Sequence, residues 1–132
     1  MNVLDILVQT VQAMVGLDEF PVPVKFADMP EGMYGAFSSQ DGENGVIYLN
    51  GSVDLSSQAN CYKLQVVLLH ELGHAVHGHT GSGPRGYTSE ESVDRELEAD
   101  EFCYKHLPDD HPEMRSVKAR LVIWRRRIRE RG

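Results

Sequence analysis

Apolar residues recur along this chain with two periods, and the switches between them divide it into elements. Leu4, Leu7, Val11 and Met14 fall three or four apart, on one face of a helix over residues 2–15, with Asn2 and Asp5 at its start and Gly16 just beyond. Val22-Pro23-Val24-Lys25-Phe26 is extended. Pro23 has no N–H to give a ladder, which confines the segment to a sheet edge or to no strand. The runs 33–37 and 46–50 flank a polar turn, Ser38 to Gly45, and predict a hairpin. From Tyr62 the period is helical: Leu64, Val67 and Leu68 share a face, and the run reaches His70 without Pro or Gly. The Ser- and Asp-rich stretch from Gly51 to Gln58 separates that helix from the strand before it. A second helix is predicted from about Ser89 to His106, with Thr88 and Glu91 as a capping box and Pro108 as its limit. Val117, Leu121, Trp124 and Ile128 form one seam of a last helix within residues 113–132. This order predicts an α+β domain with a small β-hairpin or sheet, and 132 residues suffice for one domain with a modest core.

The chemistry concentrates in His70-Glu71-Leu72-Gly73-His74. Positions i and i+4 of a helix stack on one face, so both imidazoles can reach one metal ion, and Zn²⁺ accepts neutral imidazole in tetrahedral sites. Glu71 follows the first histidine and is placed to act as general base on the water such an ion activates, the H-E-x-x-H arrangement of zinc peptidases. Gly73 costs a helix about 1 kcal/mol relative to Ala, so something must pack closely against that turn. On the next helix Glu96 and Asp100 share a face, with the small residues Ala99 and Cys103 beside them as a close helix contact requires. Glu98 is two residues from Glu96, so the two cannot both face the metal. Of the two, Glu96, which shares its face with Asp100, is taken as the candidate third ligand, and Asp100 as the outer carboxylate that accepts a ligand histidine's other ring N–H.

The two motifs resemble the gluzincin pattern of thermolysin-like, HtpX-like and ImmA/IrrE-like metallopeptidases. The wording of 70–74 and of Glu96-Leu97-Glu98-Ala99-Asp100-Glu101-Phe102 is most similar to the ImmA/IrrE family, whose pattern is close to H-E-L-G-H followed by E-x-E-A-x-x-F-A. The resemblance implies a compact zincin-like fold, zinc held by His70, His74 and Glu96, Glu71 as catalytic base, and a regulatory protein as substrate. It is specific over residues 70–103, weaker over 45–69 and absent at both ends, and Cys103 stands where the family usually has Ala. Gluzincins also need a donor for the tetrahedral oxyanion, often His or Tyr; Tyr87, Tyr104 and His106 are the candidates. An extended substrate would add to a strand edge beside the cleft, and Val46–Asn50 is the candidate. The glycine-rich connection from Gly78 to Tyr87 reads as a mobile loop at that cleft. His77 and His79 read as surface residues, and His111, beside Pro112, as part of a helix start.

Charge adds one feature. Of 13 basic and 20 acidic residues, eight basic and two acidic fall within 113–132, which makes that segment +6 and leaves 1–112 at −13. The chain thus reads as an acidic catalytic body with a basic amphipathic helix, which docks on the core with a solvated arginine face and serves solubility rather than chemistry. Its arginines could also meet an acidic protein or a nucleic acid. No stretch approaches about 18 apolar residues, which argues against a membrane span. Cys61 and Cys103 lack metal or disulfide spacing and read as buried free thiols, and the start lacks the basic region of a secretory signal, so the expected compartment is the cytoplasm. Two rival functions are a zinc-bound interaction module without turnover and a DNA-associated protease similar in role to SprT-like proteins.

Overall fold

The computed structural model describes residues 2–79 and 90–131. Its elements are α1 (Val3–Val15), β1 (Val24–Ala27), β2 (Gly35–Ser38), β3 (Val46–Asn50), α2 (Gln58–Val76), α3 (Glu90–His106) and α4 (Met114–Glu130). The fold is α+β, as the two periods predict. Asn2 caps α1 by accepting the Asp5 N–H at 2.8 Å, and Gly16 ends it in the left-handed conformation (φ 81°). The Thr88–Glu91 capping box and the connection beyond His79 lie outside the described residues.

The sheet has the order β1-β3-β2, with β1 parallel and β2 antiparallel to β3. β2 and β3 form the predicted hairpin. β1 begins immediately after Pro23, on an edge, and the Pro23 carbonyl accepts the Ile47 N–H at 3.0 Å. Val46–Asn50 is therefore the central strand, hydrogen-bonded on both sides. It cannot receive an added substrate strand, which corrects the expectation drawn from its place before the metal helix. The reason lies in its composition: Val46, Ile47, Leu49 and Asn50 are all buried, the mark of a strand covered on both faces and flanked by neighbours.

α2 is the hub, packing on α1, β2, β3 and α3, while α4 packs on α3. Leu64, Leu68, Leu69 and Leu72 of α2 join Leu7 and Val11 of α1, Ile47 and Leu49 of β3, Cys103 of α3, and Met114 and Val117 of α4 in one core. At the start of α4, His111 Nδ1 accepts the Glu113 N–H at 3.0 Å and its Nε2 bonds Gln65 Oε1 at 2.8 Å, so His111 fixes the turn into the helix from α2. Cys103 is buried and Cys61 only partly so; both are free thiols. Among the described residues no helix is long and apolar enough to cross a membrane.

The seam of α4 separates neighbouring residues sharply: Leu121 is 2 % exposed and Val122 53 %. Leu121→Ala should lower unfolding free energy by about 2–5 kcal/mol, and Val122→Ala should stay within about 0.5 kcal/mol of wild type. Chemical denaturation checks this, and equal effects at the two positions would contradict the docking of α4.

Candidate metal centre

Ser57 starts α2 by accepting the Asn60 N–H at 3.3 Å, and the helix then runs unbroken through the motif. His70 and His74 stand one turn apart on one face, with their Nε2 atoms 3.1 Å from each other. α3 crosses α2 at this turn. A Cβ on Gly73 would meet Ala99 Cα at 3.1 Å, Ala99 O at 3.2 Å and Phe102 Cβ at 3.2 Å, so the missing side chain sets the closeness of the crossing. Ala99 and Cys103, both fully buried, are the small residues that let α3 come in. Two turns before Cys103, this crossing delivers the Glu96 carboxylate: Oε2 lies 3.0 Å from His70 Nε2, and Oε1 3.2 Å from His74 Nε2.

Each histidine is held from behind. His70 Nδ1 lies 2.8 Å from Asp100 Oδ1, and an ionised carboxylate can only accept, so this nitrogen donates. Asp100 is wholly buried and also receives Arg120 Nε at 3.1 Å on Oδ1 and Trp124 Nε1 at 2.6 Å on Oδ2. His74 Nδ1 lies 2.8 Å from His79 Nδ1, and His79 Nε2 lies 3.2 Å from Glu98 Oε2. The tautomers follow from these partners. His79 donates Nε2–H to Glu98, so its Nδ1 accepts from His74. In the neutral rings both ligand histidines then turn bare Nε2 lone pairs toward the Glu96 carboxylate.

Three acceptors facing one another call for positive charge between them. Burial opposes charge on His70, yet its bonds to Asp100, Cys103 and Glu96 and the charge of Glu71 hold its pKa well above the usual imidazole value. Burial likewise opposes charge on Glu96, but His70 and His74 outweigh it and push its pKa down. Asp100 is lowered too: His70, Arg120 and Trp124 together overcome its burial. Tetrahedral ligands about 2.0–2.1 Å from zinc lie about 3.3–3.4 Å apart, close to the 3.0–3.2 Å seen here. His70, His74 and Glu96 are thus a group that could hold a metal ion, and His70, Asp100 and Cys103 are a second. Glu71 stands beside the first group, 6 % exposed, with its pKa raised by burial against the lowering influence of His70 and His74.

The model of the Peptidase U49 family matches residues 25–124, from β1 to Trp124 in α4. The chain belongs to the Peptidase U49 family. No curated protein and no solved structure matches it. Peptidase U49 membership makes this chain a peptidase, acting on protein or peptide substrates, and the U49 match spans every residue gathered around the histidines.

Of the residues picked out in the sequence, the structure brings together His70, Glu71, His74, Glu96 and Asp100. Two of the oxyanion candidates stand elsewhere: Tyr104 is 49 % exposed on α3, and His106 packs on Phe102 with ring centroids 4.5 Å apart. The third, Tyr87, lies outside the described residues. His77 is exposed as expected, its Nδ1–H donating to the Gly73 carbonyl at 2.7 Å. His79 is not a surface residue. Gly78, at φ 68°, turns the chain back after α2, and His79 is buried against His74. That glycine was the available signal, because a helix-terminal glycine reverses the chain toward its own last turn. Trp124, expected only in the apolar seam of the last helix, and Arg120, expected only on its solvated face, also belong to this centre. Their signal was an indole within an apolar seam, whose N–H must find a partner once buried.

Replacing Gly73 by Ala favours the helix by about 1 kcal/mol. The methyl would meet the backbone of α3, and such overpacking typically costs about 1–3 kcal/mol. The expected result is a metal-free protein of lower Tm whose divalent-cation binding is also weakened, because Glu96 moves with α3. Thermal unfolding and a zinc titration check both; a Gly73→Ala protein that is stabilised and binds as wild type would contradict the close crossing.

Proposed function

We propose that this U49 peptidase is a zinc-dependent endopeptidase forming a single domain over residues 1–132. In this reading His70, His74 and Glu96 hold the ion, Glu71 is the general base, and Asp100 orients His70. One observation carries it: two imidazole nitrogens of one helix lie 3.1 Å apart, each within 3.0–3.2 Å of an oxygen of one carboxylate from a second helix, beside the buried carboxyl of Glu71. The second group suits a cation less. Both Asp100 oxygens already accept from His70, Arg120 and Trp124, and burial raises the Cys103 thiol's pKa, which disfavours the thiolate a metal requires.

A zinc ion held there would polarise the scissile carbonyl and lower the pKa of water toward about 7. Glu71 takes the proton of the attacking water and returns it to the leaving amine. Burial shifts its pKa upward, the direction that strengthens a carboxylate as a proton acceptor. Asp100 keeps the proton of His70 on Nδ1, and His79 does the same for His74, so both Nε2 atoms stay available. The similarity of residues 70–103 to the ImmA/IrrE pattern supports a regulatory protein as substrate. A zinc-bound interaction module would keep the ligands without needing Glu71.

Glu71→Gln preserves shape and removes the base. It should retain zinc and fold while peptide hydrolysis falls about 10²–10⁴-fold, measured on a peptide library with wild type alongside. Turnover equal to wild type would remove Glu71 from the mechanism. Among ligand variants, Glu96→Ala should arrive nearly free of zinc by elemental analysis. Glu98→Ala, whose side chain is 47 % exposed and reaches His74 only through His79, should lose far less. The opposite order would reassign the third ligand.

A further inference from the structure

We infer that Arg120 and Trp124 are positioning residues of the metal centre: from α4 they fix the Asp100 carboxylate, and through it the ring of His70. This rests on the zinc-peptidase reading above. Asp100 is 0 % exposed, and a buried carboxylate held by His70 alone would leave one oxygen without a donor and the group free to turn. Trp124 supplies that oxygen with an indole N–H at 2.6 Å, and Arg120 Nε shares Oδ1 with His70 Nδ1 at 3.1 Å. Donors on both oxygens fix the carboxylate plane, and the plane fixes the direction of the His70 Nδ1–H bond. The indole itself is half-buried, and the Arg127 guanidinium sits 5.2 Å from its ring centroid. Trp124 and Arg120 are one helical turn apart, so only a docked α4 presents both. The family match continues through α4 to Trp124. The basic helix, expected from its sequence to serve solubility rather than chemistry, thus reaches the histidine from behind.

Trp124 is the only tryptophan of the chain and lies one carboxylate away from a ligand histidine, so its emission should report cation binding. The test uses the full chain, stripped of metal and titrated with Zn²⁺ against a competing chelator. Trp124→Phe keeps the ring and removes the donor, and Arg120→Gln removes the charge. Each is expected to weaken zinc binding about 10–100-fold, while Arg126→Gln, an exposed neighbour, binds as wild type. In wild type, zinc should shift the tryptophan emission, and substituted Co²⁺ should give a visible spectrum that differs in both clamp variants. If Trp124→Phe does not fold, Arg120→Gln carries the comparison. Affinities and Co²⁺ spectra equal to the Arg126→Gln control would overturn the inference. Failure of the zinc reading itself is distinguishable, because wild type then binds no ion. The low-field Nδ1–H proton resonance of His70 in the metal-free protein then decides alone: its loss in both clamp variants supports the clamp, and its persistence overturns it.

Discussion

The close crossing of α2 and α3 at Gly73 and Ala99 is the constraint on which the rest of the structure depends. Two helices whose axes approach this nearly can share a small cation between side chains as short as His and Glu. Helices pack about 8–10 Å apart depending on the side chains between them, and the small residues at this crossing hold α3 where Glu96 reaches both Nε2 atoms. The crossing also explains why the seam is made of Gly, Ala and Cys rather than Leu, at a cost in helix propensity. The larger apolar residues of α2, Leu64, Leu68, Leu69 and Leu72, carry the core to either side.

Such a seam concentrates polar groups where burial is expensive. Glu71, His74, His79 and Asp100 are all buried, and among the described residues no buried side-chain nitrogen or oxygen lacks a hydrogen-bond partner. The histidines and Asp100 are joined in two chains, one running from His70 through Asp100 to α4 and the other from His74 through His79 to Glu98. Fully satisfied networks of this kind rigidify a site, and removal of one member exposes the others to the penalty of an unpaired buried group. α4 is thereby bound into the centre at Asp100, whereas its outer ion pairs, Arg125 with Glu101 and Arg131 with Asp94, are exposed enough to contribute little.

Local signals made much of this legible in the sequence. The spacing of His70 and His74, the anomalous Gly73, and the pairing of Glu96 with Asp100 beside small residues are all helix-periodic facts, and a helix converts them directly into geometry. The hairpin and the capped first helix were legible for the same reason. Contacts that depend on chain reversal or on docking were not. β3 takes the centre of the sheet because β1 returns to its far side in parallel, a long-range pairing that no local pattern encodes. His79 reaches His74 through one turn at Gly78, and Trp124 reaches Asp100 only after α4 has packed on α3. An indole in an apolar seam reads as core until its N–H partner is known.

The central claim is that an ion sits between the Nε2 atoms of His70 and His74 and the carboxylate of Glu96. X-ray absorption at the zinc edge of the zinc-loaded protein tests it most directly. The account predicts nitrogen and oxygen scatterers at about 2.0–2.1 Å, with imidazole features from two rings and no sulfur. A sulfur scatterer at about 2.3 Å would place the ion instead on His70, Asp100 and Cys103, and would contradict the assignment of both Glu96 and the α4 clamp.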